Sequence, residues 1–159
     1  GRVEYVREKI KNGVDAIMIF DTWGGLLSGD NYEKFSLNYI QKIISSTYTE
    51  GVPVIYYSRS KSNFDKLKNL DIDCIGISSE NNLGDMYKFF DEKFAIQGNL
   101  NTDILKEDKD TIKKGVIKTL ETFPFETGHV FNLGTGITPD IHPDKVSYLV
   151  EQVRELSVK

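Results

Sequence analysis

Residues 128–140, with the sequence GHVFNLGTGITPD, decide the fold because they combine a strand, its exit turn and the approach to the last helix. The apolar run 130–133 stops at Gly134-Thr135-Gly136, where two glycines allow the backbone to turn sharply. Polar groups therefore lie at the carboxyl end of a strand. Parallel barrels and open α/β sheets place their active sites at this end of their strands.

The same pattern occurs twice more along the chain. The apolar run 17–20 is followed by Asp21-Thr22-Trp23-Gly24-Gly25, and the run 94–96 is followed by Gln97-Gly98-Asn99. Three units in which a strand leads into a polar turn predict an α/β protein with functional groups at the strand ends.

Hydrophobic periodicity predicts five strands, each followed by a helix. The predicted strands are 14–20, 52–57, 72–77, 93–97 and 129–133. The predicted helices are 2–12, one from Asp30-Asn31, one from Ser62 or Asn63 through Leu70, one from Asn82-Leu83, the later part of 102–122, and one from Asp144. Because the run 14–20 is continuously apolar except for Asp15 at its edge, we expect it to be buried on both faces, as a parallel strand is. Alternating strands and helices predict parallel pairing with right-handed crossovers, which fits both a five-stranded open sheet and part of a (β/α)8 barrel.

Two of the predicted helices carry regular apolar stripes, which we expect to pack against the sheet. The stripe of the helix that begins near Asp30 consists of Phe35, Tyr39, Ile40, Ile43 and Ile44. The stripe of the last helix consists of Val146, Leu149, Val150 and Val153.

The composition is that of an ordinary globular chain. Its 159 residues are expected to form a single domain, with 39% hydrophobic and 28% charged residues. With 20 basic and 24 acidic residues the net charge is −4, and no basic stripe is present, which argues against a nucleic-acid partner. No apolar run has the roughly 18 residues that cross a bilayer, so we expect no membrane partner. Cys74 is the single cysteine and cannot form an internal disulfide, which predicts a reducing, cytoplasmic setting.

Polar residues that follow the first two predicted strands are candidates for substrate binding. A carboxylate at the position of Asp21 contacts substrate or closes a turn, and both roles remain open. Trp23 is expected to pack over the mouth of a barrel. Arg59 follows the second strand and is either a partner for a substrate carboxylate or a solvated surface arginine.

The last strand adds two more candidates, Asn132 and Thr135, at its exit. The glycines that flank Thr135 also fit a phosphate-binding turn. His129 lies at the start of the same strand, on the face that stabilises a barrel, and is expected to be structural. Cys74 lies within an apolar run and is expected to be a packed core thiol.

Three blocks of the sequence occur in a characteristic order and spacing: 20–28 (FDTWGGLLS), 97–101 (QGNLN) and 128–140. Taken together they resemble the uroporphyrinogen decarboxylase family, over nearly the whole chain. The resemblance implies part of a (β/α)8 TIM barrel and a cytoplasmic, usually dimeric lyase of haem biosynthesis that works without a metal or organic cofactor. Such an enzyme removes carboxyl groups from the four acetate side chains of a tetrapyrrole, converting uroporphyrinogen III to coproporphyrinogen III.

The resemblance assigns roles to single residues and also shows departures from the family's pattern. It implies that the Thr22 hydroxyl binds a substrate carboxylate, because the family commonly has serine there. Thr135 stands where the family has histidine, and threonine cannot shuttle protons as an imidazole does. The family's Gly-Leu-Asp-Trp-like strand end is 76–79 (GISS) here, and its aspartate-proline pair is 101–102 (NT). A divergent enzyme and a chain relieved of catalytic constraint both fit these changes.

The five predicted units match the C-terminal portion of the family's barrel. The family's N-terminal portion carries an arginine-rich motif that binds substrate carboxylates, an aspartate that binds the pyrrole N–H groups and a tyrosine that lines the cleft. None of these has a counterpart in this chain. We therefore expect the chain alone to be inactive, since most groups that stabilise the charge developed during decarboxylation are among them.

Two alternative functions remain open. A zinc-dependent corrinoid or thiol methyltransferase of the same barrel superfamily holds its metal with one histidine and two cysteines, whereas this chain has Cys74 alone. A non-catalytic half-barrel that acts by self-association, as a homo-oligomer, is the other, because an incomplete barrel has open strand edges and an apolar flank.

Overall fold

The five predicted strands are present in a computed structural model that describes residues 1–48, 51–59, 63–126 and 128–157. The strands are β1 (Ile17–Asp21), β2 (Val54–Ser58), β3 (Cys74–Gly76), β4 (Ala95–Leu100) and β5 (His129–Leu133). The α-helices are α1 (Arg2–Lys11), α2 (Gly29–Tyr32), α3 (Asn38–Tyr48), α4 (Phe64–Leu67), α5 (Leu83–Phe89), α6 (Lys109–Glu121) and α7 (Pro143–Leu156). Short helical segments are Gly24–Leu26 and Thr102–Lys106, both 3-10 turns, and the π turn Glu33–Leu37. Each strand is followed by a helix, which confirms the predicted α/β class.

The chain forms two compact units, Gly1–Gly76 and Ile77–Lys159. None of the helices in the described ranges is long and apolar enough to cross a membrane. Ser62, one of the two predicted starts of the third helix, lies outside the described residues; the helix there, α4, begins after Asn63.

In the first unit, β1 pairs with β2 and β2 pairs with β3, and both pairs are parallel. Ile17 lies opposite Val54 and Asp21 lies opposite Ser58, so β1 and β2 end side by side. Four of the five β2 residues and all three β3 residues are buried. The central part of this unit therefore has the continuous burial that apolar parallel strands predict.

The prediction that the first strand is buried on both faces was wrong. β1 begins only at Ile17, the side chains of its first three residues are half-buried, and Phe20 is 67% exposed. Among the described residues β1 has a strand neighbour on one side only. A strand at the edge of a sheet receives less cover than a central strand, although its composition is equally apolar.

The predicted stripe of the second helix was partly wrong, because the π turn interrupts the helix. A π turn contains more residues than an α-helical turn, so it shifts the buried face along the sequence. The buried face is made of Tyr32, Leu37, Ile40 and Ile44. Phe35 and Tyr39, predicted to be inside, are exposed.

In the second unit, β4 pairs in parallel with β5, and Asn99 lies opposite Asn132. One hydrophobic cluster in the core of this unit is aliphatic and consists of Leu100, Leu105, Ile112, Val116, Ile141 and Leu149. Val150, predicted to be buried, is 42% exposed, because the buried face of α7 runs through Leu149 and Gln152.

Side-chain caps stabilise the N-termini of helices in the second unit, where α5 and α7 begin within one residue of their predicted starts. The Asn82 side chain accepts from the Asp85 N–H at 3.0 Å, and the Asp108 side chain accepts from the Thr111 N–H at 2.7 Å. Pro143 occupies the first turn of α7, where its missing N–H is tolerated. These signals are local in sequence, and they act without tertiary contacts.

β4 is longer than predicted and continues to Leu100. Gln97, Gly98 and Asn99, predicted to form a polar turn, are buried within the strand. The Asn99 Nδ2 donates to the carbonyl oxygens of Ser78 at 2.9 Å and Asn81 at 2.6 Å. The turn prediction was wrong because a buried amide is stable once it has partners, and these partners are distant in sequence.

Candidate functional site

Asp21, Thr22 and Arg59 lie at the carboxyl ends of neighbouring strands in the first unit. Asp21 is the last residue of β1 and lies opposite Ser58, the last residue of β2. Thr22 is half-buried and Arg59 is exposed, and each lies one residue beyond its strand. The fold thus brings a hydroxyl and a guanidinium to the same sheet end as a carboxylate.

The Asp21 carboxylate accepts hydrogen bonds from three donors. Its Oδ1 accepts from the Gly24 N–H at 3.0 Å, and its Oδ2 accepts from Ser36 Oγ at 2.5 Å and from the Tyr56 hydroxyl at 2.7 Å. Hydrogen bonds to an ionised acceptor are among the strongest in proteins. This geometry is that of a carboxylate that closes a turn, and contact between Asp21 and substrate stays a prediction.

Two buried tyrosines extend this network. The hydroxyl oxygens of Tyr32 and Tyr56 are 2.8 Å apart, and both side chains are fully buried. Burial raises the pKa of Tyr32 above its usual value; burial also raises the pKa of Tyr56, and the nearby Tyr32 and Asp21 raise it further. Both phenols therefore remain neutral hydrogen-bond donors across the physiological pH range.

A groove of about 1000 Å³ runs along one side of the first unit. Its walls are mostly apolar side chains from α1, β1, the π turn and α3, and Asp21 and Ser36 contribute polar atoms. Trp23 also lines the groove, but its side chain is 79% exposed. The expectation that Trp23 is packed was therefore wrong for the chain in this structure.

Asn132 and Thr135 lie at the exit of β5 in the second unit. Asn132 is exposed, and its side-chain oxygen accepts from the Leu133 N–H at 2.8 Å. Thr135 Oγ1 donates to Thr102 Oγ1 at 2.9 Å, and Thr102 Oγ1 donates to the Thr135 carbonyl oxygen at 2.9 Å. A threonine has one hydroxyl proton, so the proton of Thr135 is already used and its oxygen retains only acceptor capacity.

Gly134 is held against a neighbouring loop of the second unit. Its N–H donates to the Leu100 carbonyl oxygen at 2.8 Å. A Cβ atom at this position would lie 2.5 Å from the backbone nitrogen of Ser79, closer than real Cβ atoms come. The glycine therefore serves a close approach of two loops. Its N–H is used by the sheet, which weakens the alternative that this turn binds phosphate.

His129 and Cys74 lie in packed surroundings. The His129 Nε2 is 2.8 Å from the Gly98 carbonyl oxygen, to which it donates, and the His129 ring centroid is 5.2 Å from that of Phe123. Burial lowers the pKa of His129, and the hydrogen bond to Gly98 opposes this effect. Cys74 is a buried free thiol, and burial, with a contribution from Asp73, raises its pKa to about 12. Both residues have the structural surroundings that the sequence predicted.

A metal-binding group is not found in the described part of the chain, where no three His, Cys, Asp or Glu side chains are arranged to hold an ion. The zinc-dependent methyltransferase alternative requires such a group. Nothing among the described residues therefore supports that alternative.

Sequence reasoning missed the residues that hold the two strand exits, namely Tyr56, Ser36 and Thr102. Tyr56 lies inside an apolar strand and Ser36 inside a helical segment, so neither follows a strand as the other candidates do. One signal was available: a tyrosine in a buried strand needs a polar partner for its hydroxyl. The identity of that partner depends on tertiary structure.

Known proteins resemble this chain over nearly all of its length. The sequence pattern of the family Uroporphyrinogen decarboxylase (URO-D) matches residues 2–156. The uroporphyrinogen decarboxylase of Legionella pneumophila (strain Paris) is 38% identical over 156 residues, which are 96% of this chain and 44% of that protein. The enzyme of the same name from Geotalea daltonii is 39% identical over 98% of this chain and 46% of its own length. The chain thus spans slightly less than half the length of these curated relatives.

Proposed function

We propose, since the chain belongs to the uroporphyrinogen decarboxylase family, that it takes part in the conversion of uroporphyrinogen III to coproporphyrinogen III in haem biosynthesis. The observation that carries this proposal is the family match over residues 2–156, which includes the exits of β1 and β5. In this reaction each acetate side chain loses its carboxyl group as CO2, and a proton takes its place to leave a methyl group. The chemistry is proposed to need no metal or organic cofactor.

The β1 and β2 exits are proposed to bind carboxylates of the tetrapyrrole. The Thr22 hydroxyl would donate one hydrogen bond, and the planar guanidinium of Arg59 would pair with a second carboxylate. Asp21 holds the turn that carries Thr22. The placement of all three residues at one sheet end supports this assignment.

The β5 exit is proposed to contact the tetrapyrrole through Asn132 and Thr135. The Asn132 side-chain oxygen is used by the Leu133 N–H, so its amide N–H groups would bind substrate. Thr135 would act as an acceptor, because its hydroxyl proton is used by Thr102. An acceptor at this position suits a pyrrole N–H better than a carboxylate.

We propose that the chain alone binds a tetrapyrrole without decarboxylating it. Decarboxylation needs a protonated pyrrole that withdraws electrons and a charged surrounding that stabilises the developing cation. The arginine-rich motif and the pyrrole-binding aspartate that the resemblance implies for these tasks match no residue of this chain. Turnover of uroporphyrinogen III by the purified chain would contradict this part of the proposal.

Titration with coproporphyrin, a stable oxidised form of the product, tests the proposal. Trp23 is the single tryptophan, and it directly follows Thr22. Saturable quenching of its fluorescence, together with a shift of the porphyrin absorbance, is the expected result. A folded chain that neither quenches nor shifts the porphyrin spectrum would overturn the proposed function.

A pair of arginine variants tests whether binding occurs at the β2 exit. We expect Arg59→Gln to weaken coproporphyrin binding roughly fivefold, and the effect to shrink at high salt. Arg154→Gln is the matched control, because Arg154 is an exposed arginine on α7. Equal effects of the two variants would show non-specific attraction between the protein and the anionic porphyrin.

Self-association is a second proposed function, favoured by the groove in the first unit. β1 has one strand neighbour among the described residues, and the exposed Phe20, Trp23, Phe35 and Tyr39 line the groove beside it. Two copies that pair through this same surface would form a closed, twofold dimer and cover the apolar side chains. Solution mass measured by sedimentation distinguishes the dimer from a monomer.

A cytoplasmic setting is proposed as well, on the basis of the free, buried Cys74 thiol.

A further inference from the structure

The turn after β1 is closed by the side chain of Asp21. The Asp21 Oδ1 accepts from the Gly24 N–H at 3.0 Å, immediately before the 3-10 turn Gly24–Leu26. Thr22 and Trp23 are the two residues enclosed by this bond. Whatever holds the Asp21 carboxylate therefore also holds the backbone that carries the proposed substrate-binding hydroxyl of Thr22.

The second oxygen of this carboxylate is held by two hydroxyls from different elements. Ser36 Oγ donates at 2.5 Å from the π turn, and the Tyr56 hydroxyl donates at 2.7 Å from β2. Ser36 is 15 residues and Tyr56 is 35 residues away from Asp21 in the chain. Both donors are buried, so water does not replace them without a change in structure.

The direction of the hydrogen bonds in this network follows from the number of protons. A carboxylate oxygen accepts, so the Tyr56 hydroxyl proton points to Asp21. The 2.8 Å contact between the two phenols then requires Tyr32 to donate to Tyr56. Tyr32 is thus hydrogen-bonded to Tyr56, which is itself bonded to the carboxylate, and Tyr32 polarises Tyr56 as a donor.

The π turn is what places Ser36 against Asp21. It extends over Glu33–Leu37 and puts Ser36 and Leu37 on the buried side, whereas Phe35 is exposed. π turns are rare and occur frequently at functional sites, because they redirect one side chain without ending the helix.

We propose that Tyr56 and Ser36 are positioning residues, which act through Asp21 to hold the β1 exit turn in the conformation that binds the tetrapyrrole. This inference rests on the proposed function in one respect only, the identity of the ligand. The two hydroxyls do not touch substrate. They hold Oδ2 in place, which leaves Oδ1 directed at Gly24 and keeps Thr22 and Trp23 in a single arrangement.

The test uses five variants of the purified chain and two measurements. Tyr56→Phe and Ser36→Ala each remove one donor to Asp21, and the double variant removes both. Tyr32→Phe is the matched control, since it removes an equally buried hydroxyl that is not bonded to Asp21. Ser36→Thr keeps a hydroxyl at the same position and serves as the conservative rescue.

The first measurement is the fluorescence anisotropy of Trp23 without ligand, and the second is coproporphyrin affinity. We expect the double variant to lower the anisotropy and to weaken binding at least about tenfold, as the loss of hydrogen bonds to a charged group implies. Tyr32→Phe is expected to stay within about twofold of the parent chain, and Ser36→Thr to recover most of the affinity lost in Ser36→Ala. Circular dichroism establishes that each variant is folded.

The outcomes separate this inference from the proposed function. If the parent chain binds coproporphyrin and the folded double variant binds equally well, the positioning role is wrong and the proposed function stands. If the parent chain does not bind at all, the proposed function fails, and the anisotropy alone then decides: an unchanged value overturns the positioning role, and a lowered value supports it. Equal losses in Tyr32→Phe and Tyr56→Phe would show a general effect of a lost buried hydroxyl and would also overturn it.

Discussion

The exits of β1 and β5 are held in different ways, although both carry predicted substrate-binding residues. At β1, one carboxylate collects donors from its own turn, from the π turn and from β2, and the two side-chain donors are buried. At β5, the loop is held by a reciprocal pair of threonine hydroxyl contacts and by the N–H of Gly134, and residues 135–140 are exposed.

The difference shows how burial sets the number of partners that a polar group needs. The Asp21 carboxylate is half-buried and its two side-chain donors, Ser36 and Tyr56, are buried, so the loss of either donor is costly. An exposed loop obtains its missing hydrogen bonds from water, so shape and close approach matter more there. We therefore expect the loss of a hydroxyl to lower the free energy of unfolding at the β1 exit. At the β5 exit we expect the addition of a methyl group to lower it.

The largest effect is expected from Gly134→Ala at the β5 exit. The new Cβ would lie 2.5 Å from the Ser79 backbone nitrogen, so two loops must separate. We expect the free energy of unfolding to fall by about 3 kcal/mol, as overpacking against backbone does. Urea unfolding followed by circular dichroism measures this loss.

Gly136→Ala is the control for this variant, because an added Cβ there meets no atom within 4 Å. We expect a change within about 0.5 kcal/mol. A loss in Gly134→Ala no larger than that of Gly136→Ala would show that the two loops are not closely packed.

A smaller effect is expected from Tyr56→Phe at the β1 exit. The change keeps the ring and removes one donor to Asp21 and the acceptor of Tyr32. We expect a loss of about 2 kcal/mol in the free energy of unfolding, because the half-buried Asp21 carboxylate and the buried Tyr32 phenol each lose a partner. Trp23 lies in the first unit, so its fluorescence during urea unfolding is the appropriate measurement. A variant as stable as the parent chain would mean that water replaces the phenol.

The next effect is a pH dependence of the free energy of unfolding, and it arises from His129 at the start of β5. Burial lowers the pKa of His129 in the folded chain, so the unfolded chain binds the proton more readily. The pKa of histidine in an unfolded chain is about 6.5, and above this pH the stabilisation is fully present. As the pH falls from there towards the lowered pKa of His129 in the folded chain, the free energy of unfolding decreases. The loss is expected to be smaller than that of Tyr56→Phe.

His129→Gln keeps a side-chain N–H for Gly98 and removes the titration, so it should flatten the pH dependence. His142→Gln is the control, since His142 is exposed at the start of α7. Urea midpoints measured between pH 5 and pH 8 compare the three proteins. An equal flattening in both variants would contradict the assignment to His129.

The smallest effect on stability is expected at the groove beside β1. Phe20→Ser alters an exposed side chain, and we expect the free energy of unfolding to change by less than about 0.5 kcal/mol. If the groove pairs two copies, the same variant weakens dimerisation in sedimentation experiments. Val130→Ser, which alters an exposed residue of β5, should leave the solution mass unchanged. A loss of dimer in the Val130 variant alone would place the interface in the second unit.

The sequence was sufficient for the order of elements and for most helix starts. Caps such as Asn82 and the glycine-containing strand exits act within a few residues, so their signals are present in the sequence itself. It was insufficient at 97–99, where polar residues in a strand depend on partners at Ser78 and Asn81. Local polarity alone predicts a turn there.

By itself, the sequence therefore determined that five strands alternate with helices and that Asp21, Thr22, Arg59, Asn132 and Thr135 stand at strand ends. Only the tertiary structure decided which groups those residues meet. The π turn brings Ser36 to Asp21, the pairing of β1 with β2 brings Tyr56 there, and the strand pair β4–β5 carries Thr102 to Thr135. The physical reason is range: periodicity and capping act over one helical turn, whereas these hydrogen bonds join residues 15 to 35 positions apart and exist only after the chain has folded.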